Sequence, residues 1–192
     1  MDESGSIGSS DWAKIQWVLW YFRWWIAQWH PYCKQYITAY TFNTRATLPP
    51  SHYYEYVTPN HFNPSTISRN GGGSDFGQPL IRGLEFILLH RDINTCFIFI
   101  SDGYANYPKI ETELYSYVKN WMNSRGYWTC ALCYHIKNHD SDPVPISFQR
   151  TCDSIGGTHY SFRTHNFQRE IASSLKAKSA SAFSRISKFS NN

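Results

Sequence analysis

Apolar residues recur from position 12 to position 29 at alternating spacings of three and four. At 100° per residue, Trp12, Ile15, Leu19, Phe22, Ile26 and Trp29 share one face. That pattern predicts a helix from 11 to about 28, capped by Ser9 or Ser10. Trp17, Trp20 and Trp24 fall on the opposite side, leaving narrow polar strips at Lys14, Gln16, Arg23 and Gln28. A helix apolar nearly all round either packs under another part of the chain or offers its outer aromatic face to a partner. Further on the period changes. Residues 36–43 and the more polar 52–58 read as strands, the second suited to an edge, with a turn at 48–51. Residues 59–73, rich in Asn, Pro, Ser and Gly, form a long loop. A helix follows at 76–89, with Leu80, Leu84, Ile87 and Leu88 inward.

The run Thr95-Cys-Phe-Ile-Phe-Ile-Ser101 is short and continuously apolar, as in a parallel strand buried on both faces. Then come a helix at about 109–125, a strand at 128–136, a short helix at 146–155, and a strand at 158–162. A last helix begins near Asn166, with Ile171 and Leu175 inward. Alternating strands and helices predict an α/β fold, a doubly wound and mostly parallel sheet flanked by helices. Residues 1–177 are expected to form one domain. Residues 178–192, rich in Ser and Lys, read as a mobile tail that could dock through Phe183, Ile186 and Phe189.

At 192 residues the chain is long enough for one domain with a sizeable core. Its net charge of +4 resides in Lys176, Lys178, Arg185 and Lys188 near the end, so the body is neutral. Nothing there resembles the basic surface that nucleic-acid binding needs, and nucleic acid is not an expected partner. Five cysteines, Cys33, Cys96, Cys130, Cys133 and Cys152, are an odd number spread through core-like segments. Reduced thiols and a cytoplasmic setting are expected. Cys130 and Cys133 form a C-x-x-C with no second pair at zinc spacing, and buried small side chains are the better reading. The apolar stretch 15–29 is interrupted by Arg23 and is too short to span a bilayer, so no transmembrane segment is expected. No leader peptide is expected before the opening motif.

The candidate chemistry lies in loops. Asp2, Ser4 and Ser6 alternate in a pliable loop with Gly5 and Gly8, a cluster of hard oxygens suited to a small divalent cation. Alone, the same residues describe a helix start. Two more loops, Gly73-Ser74-Asp75 before a helix and Ser101-Asp102-Gly103 after the buried strand, add a carboxylate and a hydroxyl. Taken singly, Asp102 reads as a strand-end turn and Ser74 as a helix cap. In an open α/β sheet, however, loops at the carboxyl ends of strands converge where ligands bind. Together the three loops offer two carboxylates and three hydroxyls, enough for one hard cation. Glu3 and Asp75 read as solvated neighbours that raise the negative potential. His135-x-x-x-His139 straddles a strand end and makes a poor zinc pair. There is no phosphate-loop lysine near Gly71–Gly77 and no Gly-x-Ser-x-Gly elbow, so no enzymatic activity is expected.

The order of these loops, the motif Asp2-Glu3-Ser4-Gly5-Ser6-Ile7-Gly8 and the Gly156-Gly157-Thr158 entry to the last strand resemble a von Willebrand factor type A domain with a metal-ion-dependent adhesion site. The resemblance spans nearly the whole chain. It implies that Ser4, Ser6 and Ser74 ligate through their hydroxyls, and that Asp2 and Asp102 bind directly or through water. Ser74 stands where the family usually has Thr, which keeps the oxygen and loses the methyl. The implied cofactor is Mg2+ or Mn2+, and the implied function is metal-dependent binding of a protein that presents Asp or Glu. A regulatory or scaffold subunit of an intracellular multiprotein or ATP-driven assembly is an alternative, and a structural domain with a vestigial site another. The family's first central strand, expected just before Asp2, is missing. That predicts a fragment of a longer protein, or a neighbour filling the gap, with Asp2 the least well held of the five ligands.

Overall fold

Two apolar clusters on opposite sides of one pleated sheet organise the chain. The computed structural model describes residues 1–29, 37–47, 57–89, 95–105, 113, 116–117, 120, 129–137, 139, 141–163 and 169–174. Helix α1 runs Ser9–Trp29. Strands β1 (Thr41–Phe42) and β2 (Ala46–Thr47) form an antiparallel pair, and a 3-10 turn covers Pro64–Thr66. Helix α2 spans Gly77–Leu89, followed by β3 (Thr95–Ser101), β4 (Thr129–Lys137), α3 (Ile146–Ser154) and β5 (Thr158–Arg163). Residues 169–174 are helical. The strands β3-β4-β5 form a parallel sheet in that order. The chain is thus mixed α/β with a three-stranded parallel sheet and helices.

Because successive side chains of a strand point to opposite faces, each strand feeds both clusters. Ile100, Leu132, Tyr134, Ile136 and Phe162 join Ile15, Val18, Leu19 and Phe22 of α1 on one side. Phe99, Ala131 and Cys133 join Phe76, Leu80, Phe148 and Cys152 on the other. Phe99 is the hub of the second cluster. It stacks on Phe42 at 5.5 Å, meets Phe76 edge-on at 5.1 Å and lies 5.5 Å from Phe148. Helix α2 comes close to this face because Gly83 has no side chain; a Cβ there would stand 2.4 Å from Cε2 of Phe97.

The long loop covers a second side of α1. Phe62 and Ile67 are buried in the α1 cluster. Arg23 donates from Nε to the Pro59 carbonyl at 2.9 Å, and Gln16 donates to the Ile67 carbonyl at 2.9 Å. The polar strips of the helix are therefore anchors for that loop. Its third side is open: Trp17, Trp20 and Trp24 are exposed, Trp24 by 58%. Tyr21 stacks on Trp17 at 5.7 Å, and the Arg23 guanidinium lies 4.8 Å from the centre of Trp20.

Several boundaries agree closely with the sequence pattern, β3 over its full length and the sheet strands β4 and β5 within one residue. The first intrahelical bond of α1 runs from Trp12 N to Gly8 O, so Gly8 occupies the cap expected at Ser9 or Ser10. Of the expected strand 36–43, the described residues 37–43 contain the short strand Thr41–Phe42, paired with Ala46–Thr47 in a hairpin that the sequence pattern does not reveal. Val57 exchanges backbone hydrogen bonds with Ile37, at 2.8 and 2.9 Å, while the rest of the 52–58 strand lies outside the described residues. So do most of the 109–125 helix, the 178–192 tail, and the side chains of Leu84, Ile87 and Leu88. Among the described residues no helix is long and apolar enough to cross a membrane.

The missing-strand expectation needs refinement. Met1, Asp2 and Glu3 lie between β1 and β3 and pair with both. Asp2 N donates to Ile100 O at 2.9 Å, Glu3 N to Phe42 O at 2.9 Å, and Phe42 N to Met1 O at 2.9 Å. These residues join the two sheets, with a parallel bridge between Asp2 and Phe42.

Replacing Phe99 by Ala should cost about 3–5 kcal/mol, since it empties a fully packed aromatic site. Trp24→Ala, on the exposed face, should change stability by less than about 0.5 kcal/mol. Urea unfolding of the two variants beside the parent chain measures both.

Candidate metal centre

The five expected ligand residues come together at the carboxyl end of β3. Asp2 has no exposed surface, and Ser4 and Ser74 are each 2% exposed. Asp2 Oδ1 accepts from the Ser4 backbone N–H at 2.9 Å, which closes the first loop on itself. The Ser74 hydroxyl lies 3.4 and 3.5 Å from the two Asp2 oxygens. Ser4 and Ser6 hydroxyls are 3.0 Å apart. Ser6 is exposed and Asp102 half-buried, so the cluster has a closed floor at Asp2, Ser4 and Ser74 and an open rim at Ser6 and Asp102.

Asp2 is far from poorly held. Besides the backbone pairing to both neighbours, its Oδ2 accepts a 2.6 Å hydrogen bond from the Ser101 hydroxyl. Ser101 Oγ in turn accepts from Gly103 N at 2.9 Å, so one hydroxyl couples the first loop to the third. The expectation of a loosely placed Asp2 is overturned by these bonds, which the family resemblance did not bring into view.

Glu3 is also not a solvated neighbour. It is 1% exposed and accepts from Asn70 N at 3.0 Å, Asn70 Nδ2 at 3.2 Å and Asn43 Nδ2 at 3.3 Å. Gly71 N donates to Glu3 O at 3.0 Å and Gly5 N to Gly72 O at 2.8 Å, so the Glu3 region clamps the second loop onto the first. Arg69 adds a guanidinium hydrogen bond to the Ile7 carbonyl. Asp75 faces α2 and accepts from Gly77 N at 2.9 Å, and so caps that helix. A buried carboxylate that must find several donors is legible only once the loops are in place.

The third loop is built on constraint. Gly103 has φ +91, a conformation costly for residues with a Cβ. A Cβ there would stand 2.7 Å from Pro145 Cγ and 3.2 Å from His135 Cδ2. His135, 2% exposed on β4, approaches the Asp102 carbonyl with Nε2 at 3.0 Å and Ser161 Oγ with Nδ1 at 3.0 Å. Sequence reading weighed His135 only as a zinc ligand. Its other signal was a polar residue inside the apolar run of β4.

The electrostatics carry one message. Burial pushes Asp2 above the usual carboxylate range, and the Ser101 and Ser4 hydrogen bonds only partly oppose it. Burial also raises Asp102, with the Asp2 charge adding to it and the Ser6 hydroxyl opposing. Asp102 Oδ1 is buried with no hydrogen-bond partner among the described residues. The ion pairs among those residues, Lys14–Asp11 and Arg82–Glu85, are elsewhere. Asp2 and Asp102 are thus neighbours with no side-chain ion pair to either among the described residues. Burial lowers His135 to about 4, so its ring is neutral near pH 7 and adds no charge.

These residues fit a small hard cation: three hydroxyls, two carboxylates, an orphaned carboxylate oxygen and a deficit of positive charge. Among the described residues no group of three or more His, Cys, Asp or Glu side chains gathers. Ser161 and His135 have the spacing of a nucleophile and base, but the ring's other partner is a neutral carbonyl where a triad has a carboxylate. Cys133 and Cys152 are buried free thiols; contact with Cys133, then burial, raises Cys152, which leaves it inert. Compared with family models, curated proteins and solved structures, the chain matches none.

Two predictions follow from this geometry. A carboxyl raised in the folded state contributes stability below its unfolded pKa and loses it as pH rises through the folded value. Asp102→Asn should therefore raise the metal-free melting temperature at pH 7, and the gain should fade as pH approaches about 4. Calorimetric scans of the two proteins across that range check it. Gly103→Ala should destabilise by more than Gly71→Ala, since Gly71, at φ +73, has open space around it and loses only the roughly 1–2 kcal/mol of a left-handed residue. Chemical unfolding of both variants gives the comparison.

Proposed function

We propose that this chain is a metal-dependent protein-binding module of the von Willebrand factor type A kind, doubly wound and without catalytic activity. The observation that carries the reading is the pairing of the buried Asp2 with the half-buried Asp102, set among three hydroxyls, with Asp102 Oδ1 unsatisfied and neither carboxylate in a side-chain ion pair among the described residues. Ser4, Ser6 and Ser74 would hold Mg2+ or Mn2+ through neutral oxygens, with Asp2 and Asp102 beside it. A divalent cation held mostly by hydroxyls would keep much of its charge, and so attract an Asp or Glu carboxylate of a partner. The exposed Ser6 and the half-buried Asp102 leave room for that carboxylate on the solvent side.

The protein residues act by orientation. Ser101 fixes the Asp2 carboxylate, Glu3 ties the second loop to the first, and Gly103 permits the turn that aims Asp102. The outer Trp17, Trp20 and Trp24 of α1, exposed and partly stacked, are in this reading a second contact surface, as a scaffold subunit would require.

The test is titration of the chain with Mg2+ and Mn2+, followed by peptides bearing a single Asp or Glu. Such peptides should bind with metal present and fail to bind in excess chelator, and Asp102→Ala should abolish both metal and peptide binding. Acidic-peptide binding undiminished by chelator, or no metal uptake at millimolar concentration, would contradict the proposal.

A further inference from the structure

The row of residues level with the end of β3 is unlike the rest of the sheet. Ser101, His135 and Ser161 are directly in register across β3, β4 and β5. All three point to the face that carries Phe99 and Cys133, because Ser101 and His135 lie two residues beyond those positions and Ser161 is paired with His135. An apolar sheet face thus terminates in a line of hydrogen-bonding groups. Ser101 is spent on Asp2 and Gly103. His135 reaches a different part of the same loop, and Ser161 reaches His135.

The direction of each hydrogen bond follows from the chemistry of its ends. The Asp102 carbonyl can only accept, so His135 Nε2 carries the proton that it receives at 3.0 Å. A neutral imidazole then has a bare Nδ1, which must accept, so the Ser161 hydroxyl donates to it across 3.0 Å. Ser161 Oγ is left to accept from His159 Nε2 at 3.1 Å. Each group's choice is forced by the one before it. The ring is also held laterally by Phe148, 5.3 Å between centroids, and by the Gly103 backbone it abuts.

From this network we infer that His135 is a positioning residue for the candidate metal centre: as the Nε2–H tautomer, set by Ser161, it holds the Asp102 carbonyl and so fixes the aim of the Asp102 carboxylate. The inference rests on the metal-binding reading above. It goes beyond that reading because His135 supplies no ligand atom, and no part of the ligand motif includes it. A hydrogen bond to the backbone on one side of Asp102, with Pro145 crowding Gly103 on the other, leaves the side chain little freedom to swing away. Outer partners that orient ligands in this way are commonly worth 10–100-fold in metal affinity.

The experiment is Mn2+ binding to the full chain, read from the electron paramagnetic resonance of free Mn2+, with parallel melting curves. His135→Leu keeps the bulk and removes the bond; it should weaken Mn2+ by roughly 10–100-fold. His135→Gln, whose amide N–H2 reaches as far as Nε2, should recover most of that loss. Nitrogen NMR of the parent chain should show His135 protonated at Nε2 and bare at Nδ1. If His135→Leu does not fold, Ser161→Ala carries the test: it keeps the ring, frees the tautomer, and should weaken Mn2+ several-fold. Unchanged affinity in the folded Leu or Ala variant, no recovery with Gln, or a ring protonated at Nδ1 instead would overturn the inference while leaving the metal site standing. A parent chain that takes up no Mn2+ would overturn the metal site and this inference together.

Discussion

A carboxylate with no exposed surface, placed where three loops meet, sets the terms for this structure. Taking Asp2 out of water costs several kcal/mol unless its oxygens are well satisfied. The surrounding loops are shaped by that need: the Ser4 amide and the Ser101 hydroxyl supply short bonds, and Ser74 supplies long ones. The compensation is incomplete, since both Asp2 and Asp102 are raised by burial and Asp2 raises Asp102 further. A site that concentrates negative charge while bonding it incompletely would be stabilised by a cation, which is the ground of the proposed metal reading over a set of helix caps and turns.

The sheet makes this possible by separating two tasks along its strands. Their middle residues are apolar on both faces and lock α1 on one side and α2 with α3 on the other. Their final residues are polar and face the loops. Packing around Phe99 fixes where β3 ends, and the backbone bonds of Met1, Asp2 and Glu3 fix the first loop against that end. A change in the core would therefore reach the candidate ligands through the position of Ser101, which is both the last residue of β3 and the bond donor to Asp2.

Much of this was legible from residue patterns, for physical reasons that differ by element. The strand Thr95–Ser101 could be read to the residue because burial on both faces demands an unbroken apolar run. The outward Trp17, Trp20 and Trp24 followed from helical period alone. The short hairpin of Thr41–Phe42 with Ala46–Thr47 could not, since two-residue strands carry no periodicity. The five candidate ligands were named from motif order, but what holds them was not. Glu3, Ser101 and His135 act through partners 67, 99 and 33 residues away in sequence, contacts that no local window contains. Polar residues in otherwise apolar strands were the available hint.

Asp2, Ser4, Ser6, Ser74 and Asp102 are proposed to surround one divalent cation. Anomalous diffraction from crystals of the full chain grown with manganese tests it most directly. The account predicts a single strong anomalous peak within coordination distance of the Ser4, Ser6 and Ser74 hydroxyls and beside both carboxylates. Crystals saturated with manganese that show no peak there, with Asp2 and Asp102 bonded only to protein and water, would contradict it.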